Sequence, residues 1–271
     1  MRNSMIERYS QTDRQLHQLS QVIAKANRTY VPAQSDDSHT NLSFDPWGHR
    51  LMGRWMPTEQ GAWLLTFHLD TQVFDLYNAA FEVAGTVATV GRTLTEVEAE
   101  IEALLPQLGL DPEGFTADLH FEIPAYDLAD QPIAPLDPQG LQPWQAFRTL
   151  ANEASLHLLS HAQAQAEIRI WPHHFDTGIY FKAKPDLGVG FGLAMEDEMA
   201  GSPYFYLAAY PAQTTIRYQN LPASDFWHWE TGEHWNGAIL TLQQLAAYSS
   251  AEQKDRLATY LKTALHWMMA Q

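Results

Sequence analysis

Ile168–Phe181 reads IRIWPHHFDTGIYF. An apolar strand, Ile168 to Trp171, runs into a proline. Two histidines, an aromatic and an aspartate follow, and then a second apolar run. Strands that follow strands without an intervening helix disfavour an alternating βαβ architecture. The same rhythm extends outward. Glu167–Trp171, Gly178–Ala183, Leu187–Met195 and Tyr204–Tyr210 read as strands, with Gly237–Leu242 as one more.

Upstream, the residues from Thr40 to Gly91 have a period of two. Leu42 and Phe44 alternate before the turn signal Asp45-Pro46-Trp47-Gly48. Arg50–Met56 follows, and a turn at Pro57–Gly61. Trp63, Leu65, Phe67 and Leu69 then alternate against Leu64, Thr66 and His68. Val73–Tyr77 and Phe81–Val90 complete an antiparallel meander, with Leu65 and Phe67 on the buried face. Phe115–Ile123 alternates in the same way and is expected to be a strand.

Four main helices are expected. Asp13–Tyr30 carries Leu16, Leu19, Val22, Ile23 and Ala26 on one face, with Thr12 or Asp13 as its cap and Pro32 as its stop. Thr93 with Glu96 is a capping-box signature, before an apolar stripe that Gly109 ends. A third helix runs from Pro143 to about Gln165. Ser249 with Glu252 opens the last one. The fold class is therefore α+β, with antiparallel sheet flanked by about four main helices. The chain reads as one unit of 271 residues, or as two similarly organised halves, 1–123 and 143–271, joined by the proline-rich residues 124–142.

Sixteen Lys and Arg against 32 Asp and Glu give a formal charge of −16. Nucleic acid and anionic membranes need a basic face, so neither is an expected partner. Cysteine is absent, which excludes disulfides, thiolate nucleophiles and Cys-ligated zinc. The opening MRNSMIERYSQTDRQ lacks the apolar core of a secretory signal, and no apolar run could span a bilayer. A cytoplasmic protein with a small-molecule partner is expected; oligomeric state is not legible. There is no P-loop, no HExxH and no GxSxG.

Four constellations carry chemistry. In an extended backbone His174 and Asp176 share one face and His173 takes the other; if Pro172 starts a turn, the histidines converge instead. A carboxylate beside an imidazole fixes its tautomer and raises its basicity, as catalysis or metal ligation requires. His173, His174 and Asp176 are thus the catalytic candidates. The competing reading is a pair of structural histidines at a strand end.

Gly188, Gly190 and Gly192 alternate with Val189, Phe191 and Leu193. A strand here shows a flat glycine face that a ligand approaches at Gly190, with Trp171 as a further ligand-binding candidate, or that a neighbouring ring, Trp171 itself among them, fills. Glu196 and Glu198 could complete a site for a divalent transition metal with His173, His174 and Asp176; an acidic loop on so acidic a chain is otherwise simply solvated. Phe226-Trp227-His228-Trp229 and His234-Trp235 offer aromatic walls, with Trp229 or Trp235 roofing the cleft, or else plug the sheet edge. His39 is a weaker candidate.

IRIWPHHFDTGIYF, LGVGFGLAMEDE, SPYFYLAAYP and GEHWNGAIL together resemble an uncharacterised bacterial protein family with a WPHHFD-type motif, a glycine-alternating strand and a PYFY strand. The resemblance is clearest over Ile168–Leu240; the first half is similar only in layout. It implies that Pro172–Asp176, Glu196–Glu198 and Tyr204–Tyr206 belong together, which adds Tyr204 and Tyr206 to the ligand-binding candidates. It implies no reaction.

Overall fold

A computed structural model of the chain describes residues 2–126, 128, 131–212, 215–233 and 235–271. The fold is α+β, with two antiparallel sheets of five and six strands and four main helices. Two units divide the chain. One comprises Gln11–Gln145 and Ile170–Phe175, the other Met1–Ser10, Ala146–Arg169 and Asp176–Gln271. Helices α1 (Arg2–Tyr30) and α3 (Pro138–Ala162) each run through a boundary between them.

The first unit holds β1 (Ser43–Asp45), β2 (Arg50–Thr58), β3 (Gly61–His68), β4 (Val73–Asn78) and β5 (Val83–Ala88), in spatial order β1 to β5. Leu65 and Phe67 are buried as the alternation predicts. Leu64 and Thr66 are buried too, so both faces of this sheet are covered. α2 (Leu94–Leu104) lies against β5, where Leu104 fills the space beside Gly85. Its capping box is present, with Thr93 and Glu96 each satisfying the other's backbone N–H. A buried ion pair, Lys25 to Glu98 at 2.8 Å, ties α1 to α2.

Four expectations need correction here. α1 starts at Arg2 and not at Asp13, because Ile6 and Tyr9 continue its buried stripe. Asp13 does not cap it; inside the helix, its carboxylate accepts from the Trp144 indole at 2.7 Å. Residues 115–123 form turns and loop without a ladder partner. The Arg28 guanidinium donates to the carbonyls of Gly114, Ala117 and Asp118 and holds that loop. α3 begins at Pro138, so Pro143 sits inside the helix, where it has no N–H to donate to the carbonyl four residues back.

The second unit carries β7 (Thr177–Lys184), β8 (Leu187–Ala194), β9 (Tyr204–Pro211), β10 (His228–Thr231) and β11 (Asn236–Thr241). The strand order is β10-β11-β9-β8-β7-β6, and β6 is only Arg169–Ile170, at the boundary. Ile179, Phe191, Phe205 and Leu240 make one buried face. α5 (Ser250–Met269) lies on it, where the Tyr260 hydroxyl donates to Ala238 O at 2.7 Å. The Ser249–Glu252 capping box opens α5, and a second, unforeseen box at Thr241 and Gln244 opens α4 (Leu242–Leu245). Among the described residues no helix is long and apolar enough to cross a membrane.

Candidate functional site

In the first unit, Ile170 bridges to Leu42 by two backbone hydrogen bonds, and the chain then turns. His174 N and Phe175 N both donate to Trp171 O, so Trp171–Phe175 is a turn and not an extended segment. Phe175 takes a left-handed conformation (φ 54°) and is fully buried, with its ring stacked on His17 at 5.2 Å. The imidazoles of His173 and His174 therefore converge, 4.4 Å apart, with His173 also against Phe121 and His174 exposed.

What holds this turn is a buried latch on α1. His17 Nε2 and Gln21 Nε2 both reach Pro172 O, at 2.8 and 2.9 Å. A carbonyl only accepts, so Nε2 carries the imidazole proton. His17 Nδ1 then accepts from the Tyr126 hydroxyl at 2.8 Å. Burial, and next the Asp13 charge, pushes that phenol up to about 12, so it stays a donor. His17 lies 155 residues from Pro172, and its place at a buried position of α1 was its only sequence signal.

Asp176 opens the second unit's sheet. It is buried, and its Oδ2 accepts from the Tyr206 hydroxyl at 2.5 Å. The register puts Gly178 opposite Gly192 and Gly192 opposite Tyr206. The two strands come close here, since a Cβ on Gly178 would sit 2.0 Å from Phe191 O. The glycine face is filled by rings, but Trp171 is not among them. Tyr180 lies over Gly188, Tyr210 over Gly190 and Tyr206 over Gly192, while Trp235 lies over Gly237. Tyr180 and Tyr210 are 50% and 44% exposed, so the row opens to solvent at that end, beside the exposed Lys182.

Tyr204 shares this face and donates to Asp197 Oδ2 at 2.7 Å. Asp197 is thus the acidic-loop residue that reaches the tyrosine row; Glu196 and Glu198, on either side of it, are exposed. Burial raises the Tyr206 phenol well above its ordinary value, and the Asp176 charge raises it further. Burial and Asp197 do the same to Tyr204. Tyr210 is raised by burial, against an opposing hydrogen bond from Trp235. All three phenols stay protonated, and Tyr204 and Tyr206 donate to the two carboxylates.

Trp229 does not roof this face. It pairs with Ala238, whereas Glu230 pairs with Gly237, so its ring points to the α5 side. There it meets Trp267 at 4.8 Å and donates to Pro222 O at 3.1 Å. Trp235 does belong to the face, edge-on to Tyr206 at 6.5 Å. His234 lies outside the described residues. His39 is buried and accepts from Gln34 N, a structural role. Among the described residues, no three His, Asp or Glu side chains gather as a metal ion requires. The chain matches no family model, no curated protein and no solved structure.

Proposed function

We propose that this chain is a small-molecule-binding protein whose ligand is an organic cation, held on the tyrosine row of the second sheet. The observation that carries the reading is the Tyr206–Asp176 hydrogen bond on the glycine strand, which seats a neutral phenol against a buried carboxylate. Tyr180, Tyr206 and Tyr210 each stand over a glycine of β8, and Tyr180 and Tyr210 are open to solvent, where a ligand can meet their rings. The negative face of an aromatic ring attracts ammonium groups, by about 0.5–2 kcal/mol per ring. Asp176 and Asp197 add carboxylate charge along the row, and the net charge of −16 steers cations toward the protein.

Hydrogen-bonded carboxylates and neutral phenols can also exchange protons with a bound substrate, so acid–base catalysis by Asp176 and Tyr206 is compatible with the same site. Among the described residues no grouping of side chains supports metal assistance.

Calorimetric titration with choline and with 3,3-dimethylbutanol, its uncharged isostere, tests the reading. Choline should bind the wild type, the alcohol much more weakly, and Asp176→Asn and Tyr210→Leu should each reduce the choline signal. Equal binding of the two compounds, or binding of neither, overturns it.

A further inference from the structure

From Ala146 onward α3 belongs to the second unit, as α5 does. The two helices are tied at the surface by Glu153 and Lys254, 2.7 Å apart. Beside that pair they do not close. A hollow of about 220 Å³ lies between them, lined by Leu150, Ala154, Leu257, Ala258 and Leu261, with Glu153, Lys254 and Asp255 around it. Protein interiors pack to the density of organic crystals where large side chains meet, and alanine at both 154 and 258 is what leaves this room. A second hollow, of about 180 Å³, continues along the same helices and shares His157, Ala258 and Leu261 with the first.

The two hollows differ in charge. The first has a floor of buried leucines, and its one ammonium is committed to Glu153, so the Asp255 carboxylate sets its sign. The second is lined by His157, His161 and Lys262, and among the described residues by no carboxylate. The two imidazoles stand four residues apart and so share one side of α3. All three side chains are exposed, and among the described residues none of them is paired with an acid. They gather on a chain that has 32 acidic residues against 16 lysines and arginines. An apolar hollow thus leads into a basic mouth.

We propose that this groove binds an amphipathic monocarboxylate, a medium-chain fatty acid, with its chain in the hollow at Leu150 and Leu257 and its carboxylate between His157, His161 and Lys262. Removing the chain from water drives binding, and the polar groups at the mouth fix its direction. A carboxylate at the other end would meet Asp255; at this end it meets an ammonium and two imidazoles that each carry an N–H. Together the hollows reach the size of ligand pockets, about 300–1,000 Å³. Leu150 and His161 lie about 16 Å apart along the axis of α3, which suits an extended medium chain and is short for a long one. One ammonium answers one negative charge, whereas a phosphate dianion would keep an uncompensated charge against a chain of −16. α5 lies on the face of the sheet opposite the tyrosine row, so this site does not rest on the organic-cation reading.

Calorimetric titration of the full chain with octanoate, octan-1-ol, acetate and octyl phosphate tests this. Octanoate should bind at one site, and the other three compounds should bind several-fold more weakly. Ala258→Leu fills the hollow with a good helix former, so it should lose octanoate while melting no lower than the wild type. Lys262→Glu should weaken octanoate several-fold and leave octan-1-ol unchanged, a split that a merely structural role would not give. The proposal is overturned if octanoate does not bind at millimolar concentration, or if octan-1-ol or octyl phosphate binds as tightly. Octanoate binding that is unchanged in either variant overturns it as well. Lys262 is exposed, so its variant decides the question even if Ala258→Leu fails to fold.

Discussion

Gly192 stands opposite Tyr206 in the β8–β9 ladder, and the tyrosine ring occupies the volume that a side chain at 192 would need. A Cβ placed there lies 2.9 Å from both Cε1 and the hydroxyl of Tyr206. Gly192→Ala must therefore push the phenol aside and stretch its bond to Asp176. Overpacking of this kind costs about 1–3 kcal/mol. Urea unfolding should show that loss. Tyr206→Leu in the alanine background should recover part of it, since the shorter side chain vacates the space. An alanine variant as stable as the wild type would mean that the ring is not lodged there.

The His17 latch gives a second expectation. His17→Ala removes the donor to Pro172 O and the acceptor of the Tyr126 hydroxyl, and opens a void under the Phe175 ring. Each buried polar group left unsatisfied costs on the order of 1–3 kcal/mol. Gln21 still reaches Pro172 O, so that carbonyl is not abandoned altogether. The melting temperature should fall, and amide exchange at His174 and Phe175 should accelerate more than exchange in β3. Equal acceleration in both places would show His17 to be a general core residue and not the holder of this turn.

Much of the fold is legible locally. Thr93 with Glu96 and Ser249 with Glu252 announce α2 and α5, because a capping box is written within four residues. Trp63–Leu69 announces β3 for the same reason. What fails depends on partners far along the chain. Phe115–Ile123 alternates as well as β3 does, yet it finds no neighbouring strand. Arg2–Gln11 looks polar, yet Ile6 and Tyr9 extend α1 by three turns. At the site, the glycine face of β8 was readable, but which rings fill it follows from the register of β7 and β9. Local sequence points to the nearby Trp171, whereas Tyr180, Tyr206 and Tyr210 stand there. In Glu196-Asp197-Glu198 nothing local marks the aspartate, and not a glutamate, as the side chain that reaches Tyr204.

Buried phenols make stability fall at high pH. Tyr126 is raised from 10.0 to about 12, and Tyr204 and Tyr206 are raised further. A group whose folded pKa exceeds its unfolded value contributes fully below the unfolded value and loses that contribution as pH rises through the folded one. The urea midpoint should thus hold below pH 10.0 and decline between there and about 12. Tyr206→Phe has no proton to lose at 206, so its decline should be shallower than that of the wild type. Parallel curves for the two proteins would remove Tyr206 from the alkaline transition.

Trp229 and Trp235 should separate stability from binding, because the strand register sends them to opposite faces. Trp229, opposite Ala238, is packed among Trp227, Trp267 and Tyr218 on the α5 side. Its removal as Trp229→Ala should cost on the order of 3 kcal/mol, the low end for a tryptophan truncation, because the ring is only half-buried. Trp235 meets Tyr206 edge-on and covers Gly237, but it does not enter the α5 core. Trp235→Ala should melt within a few degrees of the wild type while losing choline binding, since the Tyr210 and Tyr206 rings lose the indole that positions them. Trp229→Ala, studied below its melting transition, should still bind. The reverse pattern, with binding lost in Trp229→Ala and kept in Trp235→Ala, would move the ligand to the α5 side of the sheet and end the case for the tyrosine row.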